Sequence, residues 1–300
     1  MLTEQNKSRL SELAVNIRFD EPMSVHTTFR VGGNAEAFIN ASSSMEIVAV
    51  RNYCSENKIP CICIGNGSNI LVGDEGIKGV VISIGSGMSE VQVVDNMIYA
   101  EAGAMMSKVA SAALKAELSG FESLSGIPGS IGGAVFMNAG AYGTEMKDVL
   151  KNATCIMSNN DIVTLEAAEL ELSYRHSALE DNGGIVTACC IELKKGNAEE
   201  ISAAMKDYAQ RRRDKQPLEY PSAGSTFKRP EGYFAGKLIE NSGLKGYTVG
   251  GAQVSEKHAG FVINKGGATA SDVIELINDV ARIVKEKTGV EIEPEVRILK

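Results

Sequence analysis

Tryptophan is absent from the 300 residues, proline is limited to 7 and histidine to 3. The histidines, His26, His176 and His258, stand far apart in sequence, and their spacing suggests no metal site. No stretch approaches the roughly 18 uninterrupted apolar residues of a membrane-spanning helix. Met1 to Asp20 lacks the apolar core of a secretion signal, so a cytoplasmic protein is expected. Long basic runs are missing too. Arg211-Arg212-Arg213 stands alone and the formal net charge is -8. Nucleic acid is thereby disfavoured as a partner, because phosphate neutralisation needs clustered Lys and Arg. Six cysteines in a chain this long make no disulfide framework. Cys61 with Cys63 and Cys189 with Cys190 lack the two-residue gap of a zinc or redox pair. Buried, reduced thiols are the expectation.

What is present is an ordinary globular balance, 44% hydrophobic and 23% charged, with glycine in excess at 31 residues. The length suits about two domains. Apolar Leu10, Leu13 and Ile17 predict a helix in the first 20 residues. A strand at Phe38-Ile39, a helix from Met45 to Asn57 capped by Ser44 and an apolar run from Ile59 to Ile64 make an α/β alternation. Further strands are expected at Val80 to Ile84, Val91 to Val94, Ile98 to Glu101, Ala153 to Met157, Ile162 to Leu165 and Ile185 to Lys194. Helices are expected at Met105 to Leu118 and Ala198 to Lys215. Gly120 to Gly143 is too glycine-rich for a stable helix and too apolar for a linker. Past the boundary at Gln216-Pro217, the spacing predicts a short helix near Phe234 to Ser242 and a strand at Phe261 to Asn264. A long helix then starts at Ser271-Asp272 and stops at Gly289. A final strand, Glu291 to Leu299, alternates strictly.

Common signatures fail. The only Gly-Lys pair, Gly236-Lys237, is followed by Leu238, so no Walker loop exists. Gly65 and Gly67 are followed by Ile70 where the Rossmann fingerprint needs Gly, and no Gly-x-Ser-x-Gly elbow occurs. Two glycine loops remain. The first, Gly65-Asn66-Gly67-Ser68-Asn69, follows a strand; its backbone N–H groups suit a pyrophosphate without lysine. A plain tight loop is the competing reading. The second runs Gly126-Ile127-Pro128-Gly129-Ser130-Ile131-Gly132-Gly133 and on to Asn138-Ala139-Gly140-Ala141-Tyr142-Gly143. So much glycine is poor core filler, and close approach of backbone to a large flat ligand explains it better.

Six ordered motifs span nearly the whole chain. They are His26-Thr27-Thr28-Phe29-Arg30-Val31-Gly32-Gly33, the two glycine loops, Tyr174-Arg175-His176-Ser177, Ala223-Gly224-Ser225-Thr226-Phe227-Lys228-Arg229-Pro230 and Glu293-Pro294-Glu295-Val296-Arg297. Together they resemble the UDP-N-acetylenolpyruvoylglucosamine reductases. The resemblance implies an α+β architecture. A FAD-binding domain of the vanillyl-alcohol-oxidase (PCMH) type, built of two subdomains, would precede a C-terminal α+β substrate-binding domain. The implied division is an N-terminal helical segment over 1–28 and the FAD-binding domain over 29–194, split near 80. A connecting helix over 195–215 and the substrate domain over 216–300 complete it. Residues 65–69 would hold the FAD pyrophosphate. Residues 126–130 with Gly132, and Asn138, Ala139, Gly140 and Tyr142, would line the flavin. The compact 50 residues from Arg175 to Ser225 resemble the short form of the family, which lacks a loop carrying a substrate-clamping Tyr.

The resemblance also implies the chemistry: NADPH reduces FAD, and the flavin reduces an enolpyruvyl ether on a UDP-sugar to a lactyl ether, a step in peptidoglycan precursor synthesis. Read alone, Arg175 is an ordinary ion-pair partner and Ser225 a turn residue. On the final strand Glu291, Glu293, Glu295 and Arg297 share one face, and pattern does not choose among the acids. The resemblance assigns Arg175 to the charge that develops on the substrate, Ser225 to proton donation and Glu295 to the catalytic acid. His258 occupies a position where members of the family place a substrate-contacting polar residue, and Arg229 stands where some members have Asn; Lys215 and Lys228, near Ser225 in sequence, are candidates to bind substrate phosphates, so Lys215, Arg229 and His258 are the expected substrate contacts. No metal, membrane, nucleic acid or obligate protein partner is expected. Two other classes stay open: a different flavin oxidase on the same FAD domain, and a non-catalytic nucleotide-binding homologue. The first leaves Ser225 and Glu295 unexplained; the second would be expected to lose one of the three residues.

Overall fold

The computed structural model describes residues 1–300, which divide into two compact units. The first comprises Met1–Phe19, Ala37–Asn66 and Gly79–Gln210; the second comprises Asp20–Glu36, Gly67–Lys78 and Arg211–Lys300.

In the first unit an antiparallel five-stranded sheet runs in the order Ile162–Glu166, Leu150–Ile156, Ile185–Glu192, Met97–Glu101, Val91–Val94. Cys61–Ile64 pairs in parallel with residues 80–83 and follows the helix Ser44–Glu56. That helix starts one residue earlier than the sequence suggests. Ser43, not Ser44, is the cap, and its hydroxyl accepts from the Glu46 N–H at 3.1 Å. The first helix, Glu4–Leu13, stops short of Ile17, which enters the strand Ile17–Pro22. Leu10, Ile39, Ile47, Ile98, Phe121 and Leu124 are among the residues of the core. The cysteines are all free thiols, and burial pushes Cys63 and Cys155 up to about 12.

The glycine-rich stretch departs from expectation, for it contains a short helix, Ile131–Phe136. Packing overrides propensity here. Ile131, Ala134 and Val135 are buried, and a Cβ on Gly132 would lie 2.7 Å from the Ala102 Cβ. Glycine is what allows this helix to press against the sheet.

The second unit is organised by the helix Ala270–Thr288, which buries Val273, Leu276, Ile277, Val280 and Val284 along one face. Thr269 and Asp272 form a capping box at its start, and left-handed Gly289 ends it. Asp74 adds a second clamp, accepting from the N–H groups of Ala270 and Ser271 at 2.7 and 2.9 Å. A three-stranded antiparallel sheet, Thr248–Val249, Ala252–Val254 and Val262–Asn264, packs with this helix. Phe29, Val31 and Leu71 join the same core. The final strand is shorter than its alternation predicts. Only Arg297–Leu299 forms a ladder, parallel to Ile70–Val72. Residues 293–295 pair instead with 226–228, where Pro294 has no N–H for a continuous ladder.

Candidate active site

The two glycine loops meet in the first unit. Asn66 Nδ2 donates to the Pro128 carbonyl at 2.7 Å, and a Cβ on Gly65 would collide with Ser130 Oγ. Gly129 accepts from the Met106 N–H, and Ile131 and Gly132 donate to Ala104 and Ala102. These bonds fix the backbone of the second loop. Ser130 is only 2% exposed, yet its hydroxyl has no hydrogen-bond partner. An orphaned buried hydroxyl costs about 1–3 kcal/mol, so its place beside Gly65 suits a polar ligand that approaches closely. The chain passes to the second unit at Gly67. Gly67 has φ +64°, and a Cβ there would strike the His26 carbonyl. Asn69 is committed to the backbone of the last strand, donating through Nδ2 to Glu295 O at 3.2 Å and accepting from the Arg297 N–H at 3.0 Å.

Further along, Tyr142 (φ +53°) and Gly143 form the tip between Gly140–Ala141 and Thr144–Glu145. The Tyr142 ring, 41% exposed, stacks on Tyr208 with centroids 4.9 Å apart. Tyr208 lies on the helix Ala198–Lys215 and carries no sequence signal for this role. Asn138 differs from its expected place on the flavin-lining surface. It is fully buried, and its amide bonds within the protein.

Arg175 also belongs to the first unit and is half-buried. It occupies a two-residue turn with Tyr174, closed by reciprocal backbone bonds between Ser173 and His176. Its φ is +56°, and its guanidinium lies 5.0 Å from the centre of the Tyr174 ring.

In the second unit the segment 226–228, which follows Ser225, pairs through its backbone with residues 293–295. Thr226 donates its N–H to Gly260 O and accepts from the Glu295 N–H, both at 2.8 Å. Its hydroxyl accepts from the Val262 N–H at 2.9 Å. Ser225 is exposed and Glu295 half-buried, whereas Glu291 and Glu293 are exposed. Burial thus separates Glu295 from acids that pattern alone treats alike. Glu291 pairs with Lys285, and Glu293 with Lys228 at 3.5 Å. His258 Nδ1 accepts from the Gly260 N–H at 3.1 Å, which leaves the proton of the neutral ring on Nε2. Burial lowers the His258 pKa. Arg229 packs its guanidinium 4.0 Å from the Phe234 ring centre and donates to Tyr233 O; Lys215 is exposed at its helix end.

Thr226 is the residue that sequence reasoning missed. Replacing it with Val should strand the Val262 N–H in a site 1% exposed. Thr226→Val should therefore lose about 1–3 kcal/mol of unfolding free energy in urea, while Thr226→Ser retains most of it.

Residues 216–299 match the model of the UDP-N-acetylenolpyruvoylglucosamine reductase C-terminal domain, and residues 35–166 match that of an FAD binding domain. A UDP-N-acetylenolpyruvoylglucosamine reductase from Caldanaerobacter subterraneus subsp. tengcongensis is 51% identical over 280 residues, covering 93% of this chain and 92% of its own. The chain belongs to the UDP-N-acetylenolpyruvoylglucosamine reductase family. The reductase of that name from Syntrophomonas wolfei is 48% identical over 94% of this chain and 95% of its own. The crystal structure of the Thermus caldophilus reductase superposes with a TM-score of 0.80, at 35% identity, over 95% of this chain and 98% of that one. The architecture of the family is thus a PCMH-type FAD-binding domain followed by the reductase C-terminal domain. No helix is long and apolar enough to cross a membrane.

Proposed function

We propose that this chain reduces UDP-N-acetylglucosamine enolpyruvate to UDP-N-acetylmuramate, using FAD as cofactor and NADPH as co-substrate, in peptidoglycan precursor synthesis. The observation that carries this reading is the match to these reductases over more than nine-tenths of the chain, with Arg175, Ser225 and Glu295 all present in its motifs. The cytoplasm, which supplies NADPH, is the compartment that belongs to this reading. Residues 29–194 are the FAD-binding region and residues 216–300 the substrate-binding region.

Gly65, Asn66, Gly67, Ser68 and Asn69 hold the pyrophosphate end of FAD. Residues 126–130 and Gly132, with Ala139, Gly140 and Tyr142, line the flavin. The unpartnered Ser130 hydroxyl fits such a ligand. When bound, FAD supplies hydride chemistry, accepting from NADPH and donating to the terminal carbon of the enol ether. The substrate already carries a carboxylate, so that addition builds a second negative charge on it. Arg175 binds the carboxylate oxygens with its planar fork and stabilises the charge as it develops. Ser225 gives its hydroxyl proton to the carbon beside the carboxylate. A hydroxyl is a weak acid, but the enolate is a strong enough base to take the proton. Glu295, whose backbone N–H is bonded to the Thr226 carbonyl, orients or protonates that enolate. Lys215, Arg229 and the Nε2–H of His258 contact the substrate.

Purified protein is expected to be yellow, and acid precipitation should release all flavin to the supernatant as FAD. NADPH consumption should rise on addition of the enolpyruvyl sugar nucleotide. Colourless protein that FAD does not restore, or NADPH consumption indifferent to that substrate, would overturn the reading. Gly65→Ala should weaken FAD binding about tenfold or more, because the added methyl meets Ser130 and overpacking costs ~1–3 kcal/mol. Equilibrium titration of the apoprotein with FAD measures it.

A further inference from the structure

Asn138 follows the short helix Ile131–Phe136 and has φ +41°, a backbone state in which asparagine is strained but tolerated. It is fully buried. Its side-chain oxygen accepts from the Lys147 N–H at 2.9 Å. A backbone N–H can only donate, so this bond fixes which end of the amide is oxygen. The amide nitrogen then has two protons to give. One goes to Glu145 Oε2 at 3.1 Å and the other to the Ser173 carbonyl at 2.9 Å. No side-chain donor is left for a ligand.

The Ser173 carbonyl is half of the Arg175 turn. It also accepts from the His176 N–H at 3.3 Å, while the Ser173 N–H donates to His176 O at 3.1 Å. Tyr174 and Arg175 span those two bonds, and Arg175 itself is in the left-handed region. An arginine there is strained, so the turn holds its shape only where its surroundings fix it. A second anchor lies beside the first: Ser177 Oγ donates to Phe136 O at 2.7 Å. Both ends of the turn are thus pinned to the segment 136–138.

We propose that Asn138 is the positioning residue of Arg175 and that its side chain does not contact the flavin. The proposal rests on the role given to Arg175 above. The amide ties the arginine turn to the end of the Ile131–Phe136 helix, and so sets where the guanidinium stands when charge develops on the substrate.

Asn138→Gly tests this, because glycine accepts the left-handed backbone while deleting the amide. Flavin content and the rate of flavin bleaching by NADPH should stay within about threefold of wild type. Recolouring by the enolpyruvyl substrate should slow by about ten- to a hundredfold, as small misplacements of a catalytic group do. In an Arg175→Lys background the same deletion should cost less than about threefold, because the group it positions is already gone. Loss of FAD, equal slowing of both steps, or full multiplication of the two effects would each overturn the proposal. If Asn138→Gly does not fold, Ser177→Ala reads the second anchor. It should slow recolouring alone, and the proposal falls if it slows neither step or both equally. Wild-type protein that does not recolour with the substrate at all would instead refute the reaction assigned above.

Discussion

Ser225→Ala should leave the bleaching of flavin by NADPH intact and slow its recolouring by the enolpyruvyl substrate by about 100- to 10,000-fold, the usual worth of a general acid. The first half-reaction delivers no proton to a sugar-bound carbon, so it has no use for the hydroxyl. The second leaves an enolate that alanine has no means of protonating. Because Ser225 is exposed while its neighbour Thr226 is buried and carries the hydrogen bonds, removing the Ser225 hydroxyl should leave the backbone bond between Thr226 and Glu295 in place. Stopped-flow absorbance reads both halves in one protein. Equal slowing of the two would signal damage to folding or to FAD binding. No slowing would make Ser225 a turn residue and pass the proton to Glu295.

Arg175→Lys should slow the recolouring step by at least about tenfold, equivalent to roughly 1.4 kcal/mol of barrier, with bleaching little changed. Lysine keeps the positive charge but is a point donor. It has no planar fork for a carboxylate and stacks less well on the Tyr174 ring. Single-turnover rates with pre-reduced enzyme measure the effect. Turnover near wild type would make Arg175 a structural ion-pair partner.

Local signals were legible wherever they were dense. The helix Ala198–Lys215 begins and ends where its pattern says, and Gly289 marks the stop of the helix Ala270–Thr288. Long-range ones were hidden. The strand Ile70–Val72 is three residues long and pairs with Arg297–Leu299, more than two hundred residues away. Nothing local announces that residues 67–78 fold with the C-terminal stretch. The helix at Ile131–Phe136 was masked because its glycines answer to packing against Ala102, not to helix propensity. Among the candidate site residues, the resemblance named Ser225 and Glu295, and the structure shows the Glu295 N–H bonded to the carbonyl of Thr226, a threonine whose sequence context looks like any other. For Asn138 the motif suggested a ligand contact, whereas its side chain is buried with three internal bonds, one of them to the Ser173 carbonyl at the arginine turn. Hydrogen-bond direction of that kind has no sequence pattern.

The proposed reaction is tested most directly by a two-stage experiment with wild-type protein without oxygen. The FAD-loaded enzyme is bleached with one equivalent of NADPH, the nucleotide is removed, and the enolpyruvyl sugar nucleotide is added alone. Colour is expected to return, with one lactyl ether formed for each flavin reoxidised, heavier than the substrate by a hydride and a proton. Flavin that stays bleached until oxygen is admitted, with the enolpyruvyl ether recovered unchanged, would contradict it.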